Sequence, residues 1–588
     1  MYRGFRIFQA GVGLVLLLAA CSHNGGGSSK PSELAGVFKA GNVSGLGYRT
    51  PTREGVTDTQ GTFKFLPGET VTFFVGGIEL GAAPGAAEIT PFTLAGMTPP
   101  TTEPALRREL DRATRTSGNF VRAINMARLL LALDADGNST NGLDVSGREN
   151  ALATATLNFE QPVYAFATQL DRLAPNLTRN IPAWWPVVHL YRAVNVSVAV
   201  HAPVRIETTN DQLFPIGGFS TDVITKNYGA SGLLERMDTF FDGDLDHTYQ
   251  FTYDPFGRYL TAGDLWGRFF GPLDDLATLA AYTYDMRGNS TRTVEDADDG
   301  ADGSVNSRAV YERVFDAYGR QQTAAQNVDT DFNGGTDTRR SYSYVYDVRG
   351  NQVSALELDD YDADGIIDTR VLTTRAFDGS DRVVSASYEQ DLGGDGTIDV
   401  RETVVVTWTD GGRSVRQTAS WDQNGDGTPE NLTVSTWNYD GAGKLLAWSS
   451  AEDLDADGSI DNTSSATIYY DRDGRVLTET QAYGYAGGGV SEYTSSWSYE
   501  YDALGNPVSF VQEGDFDGNR VVDTRTQQTW NYGSGGELLE TSYHFDSGAD
   551  GVFEFSSASM NTNTLIDAGV ALLAQQYFTN TGGYADAP

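Results

Sequence analysis

Acidic side chains recur in this chain at a spacing suited to a hard cation. Asp360, Asp362, Asp364 and Asp368 surround Gly365 at loop positions 1, 3, 5, 9 and 6. The same pattern returns at Asp453, Asp455, Asp457 and Asp461 around Gly458. Near copies are Asp329, Asp331, Asn333 and Asp337, and Asp515, Asp517, Asn519 and Asp523. Weaker ones are Asp391, Asp395 and Asp399; Asp422, Asn424, Asp426 and Glu430; Asp546, Asp550 and Glu554; and Asp298, Asp302 and Asn306. The copy near residue 484 has lost its acids. Oxygen donors at these positions, with Gly for the sharp turn, meet the demand of Ca²⁺ for roughly six to eight oxygens; Mg²⁺ needs a stricter octahedron.

Asp and Gly are also ordinary turn formers, and a turn needs only one or two of them. Here the acids keep their register through six consecutive periods, from 298 to 461. The loop is not an EF-hand, because position 12 of the Asp360 copy is Val371 rather than Glu. It resembles the Asp-x-Asp-x-Asp-Gly-x-x-Asp hairpin loops of integrin α-chain propellers, and locally those of thrombospondin type 3 and dockerin modules. The resemblance implies Ca²⁺ as the ligand, at several sites.

An aromatic-Asp-x-x-Gly signature positions these loops. It begins at Tyr253, Tyr284, Phe315, Tyr346, Phe377, Trp408, Tyr439, Tyr470, Tyr501 and Tyr532, always 31 residues apart. A fixed period of this kind means a repeat architecture. Some copies are worn: Asp381 replaces the Gly, Thr409 follows Trp408, and Gly533 follows Tyr532. Two residues before the aromatic and seven after it, apolar side chains such as Phe251, Tyr344, Leu260 and Val353 recur. That alternation predicts strands half buried on one side, joined by an Asp-x-x-Gly turn in which Gly supplies positive φ. The signature is similar to YD (RHS-type) repeats over roughly residues 250–540, although the period is longer and the acidic loops are additional.

Strands with two alternating connection types place the Asp-Gly turns on one rim and the acidic loops on the other. Like loops then lie two strands apart, roughly 10 Å, about one Debye length. Empty loops repel one another, so the expectation is that calcium couples to folding of the array. About twenty strands cannot stay flat. The expected form is an elongated, curled antiparallel array, with a shell, a solenoid or propeller blades as alternatives.

The remaining chain divides by composition. Arg3 and Arg6 precede the short apolar run Val12–Leu18 and then Leu18-Ala19-Ala20-Cys21, which resembles a bacterial lipobox. The resemblance implies diacylation of Cys21, the only cysteine, and outer-membrane sorting by Ser22. The expected divisions are a lipoprotein signal over 1–21, a Gly/Ser-rich tether over 22–35 and a small β-sandwich over 36–98. A helical or mixed region over 99–235, the β-repeat array over 236–560 and a C-terminal cap over 561–588 complete the chain. Pro104 marks a helix start, and Phe120, Ile124, Ala127 and Leu131 mark a helical apolar face.

A net charge of −38 over 588 residues argues against nucleic acid as a partner. With 40% apolar and 11% aromatic residues, the chain can fill real cores. Its five His form no zinc-type pair, and no Gly-x-Ser-x-Gly elbow or Walker loop is present. The expected protein is mainly β and non-enzymatic: a calcium-binding, lipid-anchored envelope scaffold with a structural or adhesive role. A glycan- or protein-binding surface module is the alternative, and a glycoside-active enzyme the second.

Overall fold

Each 31-residue unit begins with a strand that ends on its aromatic residue, as in Thr338–Tyr346, followed by a tight turn and a second strand, Gln352–Asp360. The turn is built by its aspartate. Asp316 Oδ1 accepts from the backbone N–H groups of Tyr318 (2.8 Å) and Arg320 (2.9 Å), while Gly319 adopts φ +81°. Its Oδ2 accepts from Arg320 Nε at 2.7 Å. The held guanidinium lies 4.6 Å from the ring centre of Tyr346, in the next unit. The Tyr346 hydroxyl donates back to the Gln321 carbonyl at 2.9 Å. One carboxylate therefore shapes its own turn and, through the cation, docks the neighbouring hairpin.

The pattern propagates along the wall. Arg258 lies over Tyr284, Arg382 over Trp408, Lys444 over Tyr470 and Arg475 over Tyr501. Those four aromatics donate to the carbonyls of Tyr259, Val383, Leu445 and Val476, each 25 residues earlier. Each cation–π contact contributes about 0.5–2 kcal/mol, so the row matters as a set. A register shift at most of the aromatics, as between Val345 and Tyr346, keeps the alternation in phase.

The computed structural model describes residues 32–566 and 569–580, apart from 138, 140, 174–180, 213–218, 243, 255–256, 267–276, 299–303 and 486–492. The lipobox with Cys21, the tether up to residue 31 and Asp302 lie outside the described residues.

The hairpins form a closed barrel of 24 strands, each antiparallel to its neighbours in sequence. The first strand, Val200–Gln212, pairs with the last, Phe555–Ile566, from Val200↔Ile566 to Gln212↔Phe555, with one register shift between Pro203 and Arg205. This corrects the expected elongated array, and the solenoid and propeller alternatives with it. Twist accumulated over so many strands brings the two edges together, and pairing them satisfies both rows of backbone donors and acceptors. The wall also reaches beyond 236–560: residues 200–235, assigned above to the helical or mixed region, supply two of its strands and the start of a third, Leu234–Phe241. Barrels of about 16–18 strands already leave an aqueous interior, so this one is not filled by its own side chains.

The N-terminal module matches the expected small β-sandwich. Leu34–Phe38, Thr62–Phe65 and Glu88–Ile89 make one sheet; Gly47–Thr50, Arg53–Val56, Thr70–Val75 and Ile78–Pro84 make the other. Buried Phe38, Phe63 and Phe73 meet in its core, with ring centres 4.7 Å and 5.1 Å apart. Helices α1 (Pro91–Leu94), α2 (Glu103–Ala113), α3 (Asn119–Leu133), α4 (Val163–Asp171) and α5 (Trp185–Ala193) follow, and α6 (Gly569–Asn580) returns from the C-terminus. Phe120, Ile124, Ala127 and Leu131 are buried as the spacing predicts, but nearly all the rest of α3 from Phe120 to Leu133 is buried too. It is the central helix of the core rather than a half-exposed one.

This module and α6 share one hydrophobic core and cover the rim that carries the Asp-x-x-Gly turns. Tyr228 and Tyr253 of the wall pack against that core. Glu103 Oε2 accepts from the His201 backbone N–H at 3.0 Å, and Arg172 pairs with Asp381 at 3.3 Å. The acidic loops occupy the opposite rim.

The turn aspartates make the wall acid-sensitive. The Arg382 guanidinium and backbone N–H groups hold the Asp378 carboxyl down at about 2, and the Lys444 backbone N–H leads the lowering at Asp440. A folded-state pKa below the unfolded value of about 3.9 contributes stability that is present above that value and lost as pH falls through the folded one. Melting temperature is therefore expected to hold down to about pH 4 and to drop between about pH 4 and 2; Asp378→Asn should lower it at pH 7 and flatten the acid limb. A melt series across that range checks both.

Candidate functional site

The acidic rim is built from loops with one shared hydrogen-bond scheme. In the Asp360 copy, the Asp368 backbone N–H donates to the Asp359 carbonyl at 2.8 Å and closes the loop. Asp368 Oδ2 accepts from the Tyr361 N–H (2.6 Å), Asp360 Oδ2 from the Gly365 N–H (3.1 Å), and Asp364 Oδ1 from the Ile366 N–H (2.7 Å). Thr330 N–H and hydroxyl bond Asp337 in the equivalent way, and the hydroxyl, then the N–H, lower that carboxyl below its usual range. In Asp395, the Thr397 N–H leads the same lowering.

Five loops bring three carboxylate oxygens within 4.8 Å of one another. These are Asp329/Asp331/Asp337, Asp360/Asp362/Asp368, Asp422/Asp426/Glu430, Asp453/Asp455/Asp461 and Asp515/Asp517/Asp523. Asn333, Asp364, Asn424, Asp457 and Asn519 belong to these same loops without being part of the trios.

Two of the weaker copies are arranged differently. Asp391, Asp395 and Asp399 do not converge into a carboxylate trio, and neither do Asp546, Asp550 and Glu554. As in the converging loops, each of these acids accepts from the backbone of its own loop. Asp399 Oδ2 accepts from the Leu392 N–H at 2.5 Å, and Asp391 Oδ2 from the Gly396 N–H at 2.9 Å. Glu554 Oε2 accepts from the Ser547 N–H at 2.6 Å, Asp550 Oδ1 from the Val552 N–H at 2.9 Å, and Asp546 Oδ2 from the Gly551 N–H at 2.8 Å. The physical reason lies at position 3, where these loops carry Gly393 and Gly548. All five converging loops have Asp or Asn there: Asp331, Asp362, Asn424, Asp455 and Asp517. Asn424 acts by donating its amide to Glu430 Oε1 at 2.7 Å, which draws that longer side chain inward. In the remaining weak copy, Asp298 is buried and the Asn306 backbone N–H closes the loop on the Ala297 carbonyl at 2.7 Å.

Burial of position 1 could not be read from spacing. Asp298, Asp360, Asp391, Asp422, Asp453, Asp515 and Asp546 are all buried. In three of them, Asp360, Asp422 and Asp515, the Oδ1 atom has no hydrogen-bond partner. A buried carboxylate oxygen left unpaired costs several kcal/mol unless a cation or donor reaches it. All three stand in loops where carboxylates converge.

Sequence reasoning also missed position 4. Phe332, Ala363 and Ala456 adopt positive φ there, as do Gly394, Gly425 and Gly518. Two of these glycines have a further reason. A Cβ on Gly394 would overlap the Ile367 carbonyl oxygen of the preceding loop, and one on Gly425 that of Ile398. The Gly393 N–H also donates to the Asp368 carbonyl at 2.5 Å. The loops that begin at Asp360, Asp391 and Asp422 therefore follow one another in direct backbone contact along the rim. Between the acids, Tyr361, Ile366, Leu392, Leu454, Phe516 and Val521 are exposed, which forms an interrupted apolar collar.

Loop stacking makes a quantitative distinction. Gly394→Ala should destabilise the protein by about 1–3 kcal/mol, because the added methyl displaces a neighbouring loop. Gly365→Ala, at φ +91° with open space around it, should cost only about 1 kcal/mol. Equilibrium urea unfolding of the two variants checks the order.

No family model and no curated protein matches the chain. Among solved structures it aligns with a Photorhabdus luminescens Tc holotoxin pore carrying the mutation TccC3-D651A, at 12% identity over 61% of this chain and 26% of that one, with a TM-score of 0.12. The match thus spans about a quarter of the toxin chain. It also aligns with a porin-like protein from Bacteroides uniformis, at 10% identity over 62% of this chain and 96% of that one, TM-score 0.16. A mutant Rh. blastica porin aligns at 7% identity over 62% of this chain and 99% of that one, TM-score 0.20. Scores this low carry no functional argument, and the barrel is described by its own topology.

Proposed function

We propose that this protein is a calcium-binding, lipid-anchored scaffold of the cell envelope, with its barrel capped at one rim and stiffened by metal at the other. The observation that carries the reading is the buried, unpartnered Oδ1 of Asp360, Asp422 and Asp515 beside converging carboxylates. The donors are all oxygen, and His and Cys take no part in any of the five clusters among the described residues. That donor set favours a hard cation, and an irregular loop with variable ligand number favours Ca²⁺ over Mg²⁺. Asp360, Asp362 and Asp368 would hold the ion in their loop, and the equivalent trios in theirs. Where neighbouring loops touch, as those beginning at Asp360, Asp391 and Asp422 do, filling one removes repulsion from the next.

The anchor rests on the lipobox resemblance at Cys21. The composition of the wall supports a barrel standing in water beside the membrane. Strand Thr338–Tyr346 alternates Tyr346, Tyr344 and Tyr342 with Val345, Ser343, Ser341 and Arg339. Elsewhere the latter face mixes Leu356, Leu358, Leu372 and Val405 with Thr374, Arg370, Thr403, Arg401, Ser496, Ser498 and Glu500. A lipid-facing barrel needs an apolar band about 25 Å tall, and the Arg, Glu, Ser and Thr residues interrupt any such band on this face. YD-type repeats, which the aromatic-Asp-x-x-Gly turns resemble, are compatible with such a shell. The exposed Tyr361, Ile366, Leu454 and Phe516 favour an adhesive rim as the second element of the role.

Calcium addition to chelator-treated protein is expected to raise the melting temperature and protect the rim loops from proteolysis. Replacing Asp360, Asp422 and Asp515 together with Asn should remove most of that rise while leaving the calcium-free protein at least as stable. Unchanged melting and cleavage with and without calcium would sink the proposal.

A further inference from the structure

One stretch of the aromatic face of the wall carries small side chains between aromatic neighbours. Antiparallel pairing aligns Phe251, Ala262, Ala280, Glu295, Ala309 and Val328 in a single row across six strands. Ala280 stands four residues before its signature aromatic, where the neighbouring units carry Tyr249, Tyr311 and Tyr342. Loss of that ring, together with the small Ala262 and Ala309, opens a cavity of about 380 Å³ in the wall. Phe251 and Tyr249 bound it on one side. Phe251 and Glu295 are three strand spacings apart, about 14 Å, and methyl groups form the floor between them.

The lining is acidic as well as apolar. Asp264 and Glu295 contribute carboxylates to it, the Asp296 side chain turns to the opposite face of the strand, and no Lys or Arg is among its described lining residues. The guanidiniums nearby are engaged elsewhere: Arg308 holds Asp296 at 2.6 Å and 2.8 Å, and Arg313 donates to the Thr293 hydroxyl at 3.1 Å. Asp264 is 3.2 Å from His247 Nδ1, whose ring stacks on Tyr249 at 5.5 Å. That contact fixes the end wall. Burial, and after it the Glu295 charge, push the hydroxyls of Tyr282 and Tyr311 above their usual range, which sets the Glu295 charge beside these rings.

A cavity of this size with an apolar floor, an aromatic side and a carboxylate is complementary to a cation carrying an apolar body. We propose that it binds a small organic ammonium ion, with the charged nitrogen on Glu295 and the apolar body over Ala262 and Ala280 against Phe251. The site is independent of the acidic loops, since it lies within the wall and uses none of their residues.

The test is calorimetric titration of the full-length protein with 2-phenylethylammonium and with its neutral isostere, 2-phenylethanol. The ammonium should bind at least tenfold more tightly than the alcohol. Glu295→Gln, which keeps the shape, should abolish that preference while leaving the alcohol unchanged. Ala280→Tyr restores the residue used at this position in neighbouring units and should eliminate binding of both. Equal binding of alcohol and ammonium, a preference that survives Glu295→Gln, or no heat from either compound would overturn the proposal.

Discussion

The turn aspartate is the interaction on which the rest of the structure depends. One carboxylate caps two backbone N–H groups of its own turn and holds a cation over the aromatic of the next hairpin, as in Asp316–Arg320–Tyr346. This sets turn length, and turn length sets strand register. Register in turn places the aromatics, the acids and the small residues on defined faces. Neither the acidic rim nor the wall cavity would exist at a defined place if the turns slipped by one residue.

The two rims divide the work of stabilisation. At the turn rim, charges are paired within the wall and covered by a hydrophobic core built from residues of both chain termini, from Phe38 to Phe578. At the other rim, acids approach one another with no comparable cover. A chain with a net charge of −38 accepts this arrangement most readily if cations occupy the loops, because like charges a few ångströms apart are costly in a partly buried setting. The closed hydrogen-bond ladder also matters here. With no free edge to fray, loop repulsion is contained as strain in a ring rather than released by unzipping.

Much of this was legible from residue spacing. The 31-residue period, the strand–turn–strand unit, the separation of the two connection types and the small sandwich all follow from alternation and turn chemistry. Closure did not, because it is a property of accumulated twist over 24 strands and no single residue signals it. The strands between 200 and 235 also escaped, since they carry only Tyr228 of the signature and no 31-residue echo. Within the loops, the acid pattern was visible but its outcome was not. Asp399, Asp550 and Glu554 keep the spacing of ligands, yet with Gly393 or Gly548 at position 3 their loops gather no trio. The burial of Asp360 and its unpaired oxygen are not carried by residue spacing. The backbone contact at Gly394 depends on Ile367 of the loop before it. The cavity at Ala280 was not readable from that residue alone, since Ala466 holds the same place in its own unit.

The most direct measurement is anomalous diffraction from crystals grown in calcium, recorded at a wavelength where the calcium signal is strong. The account predicts peaks inside the loops that begin at Asp329, Asp360, Asp422, Asp453 and Asp515, within bonding distance of the converging carboxylates. A map with no peak in any of these loops at millimolar calcium would contradict it.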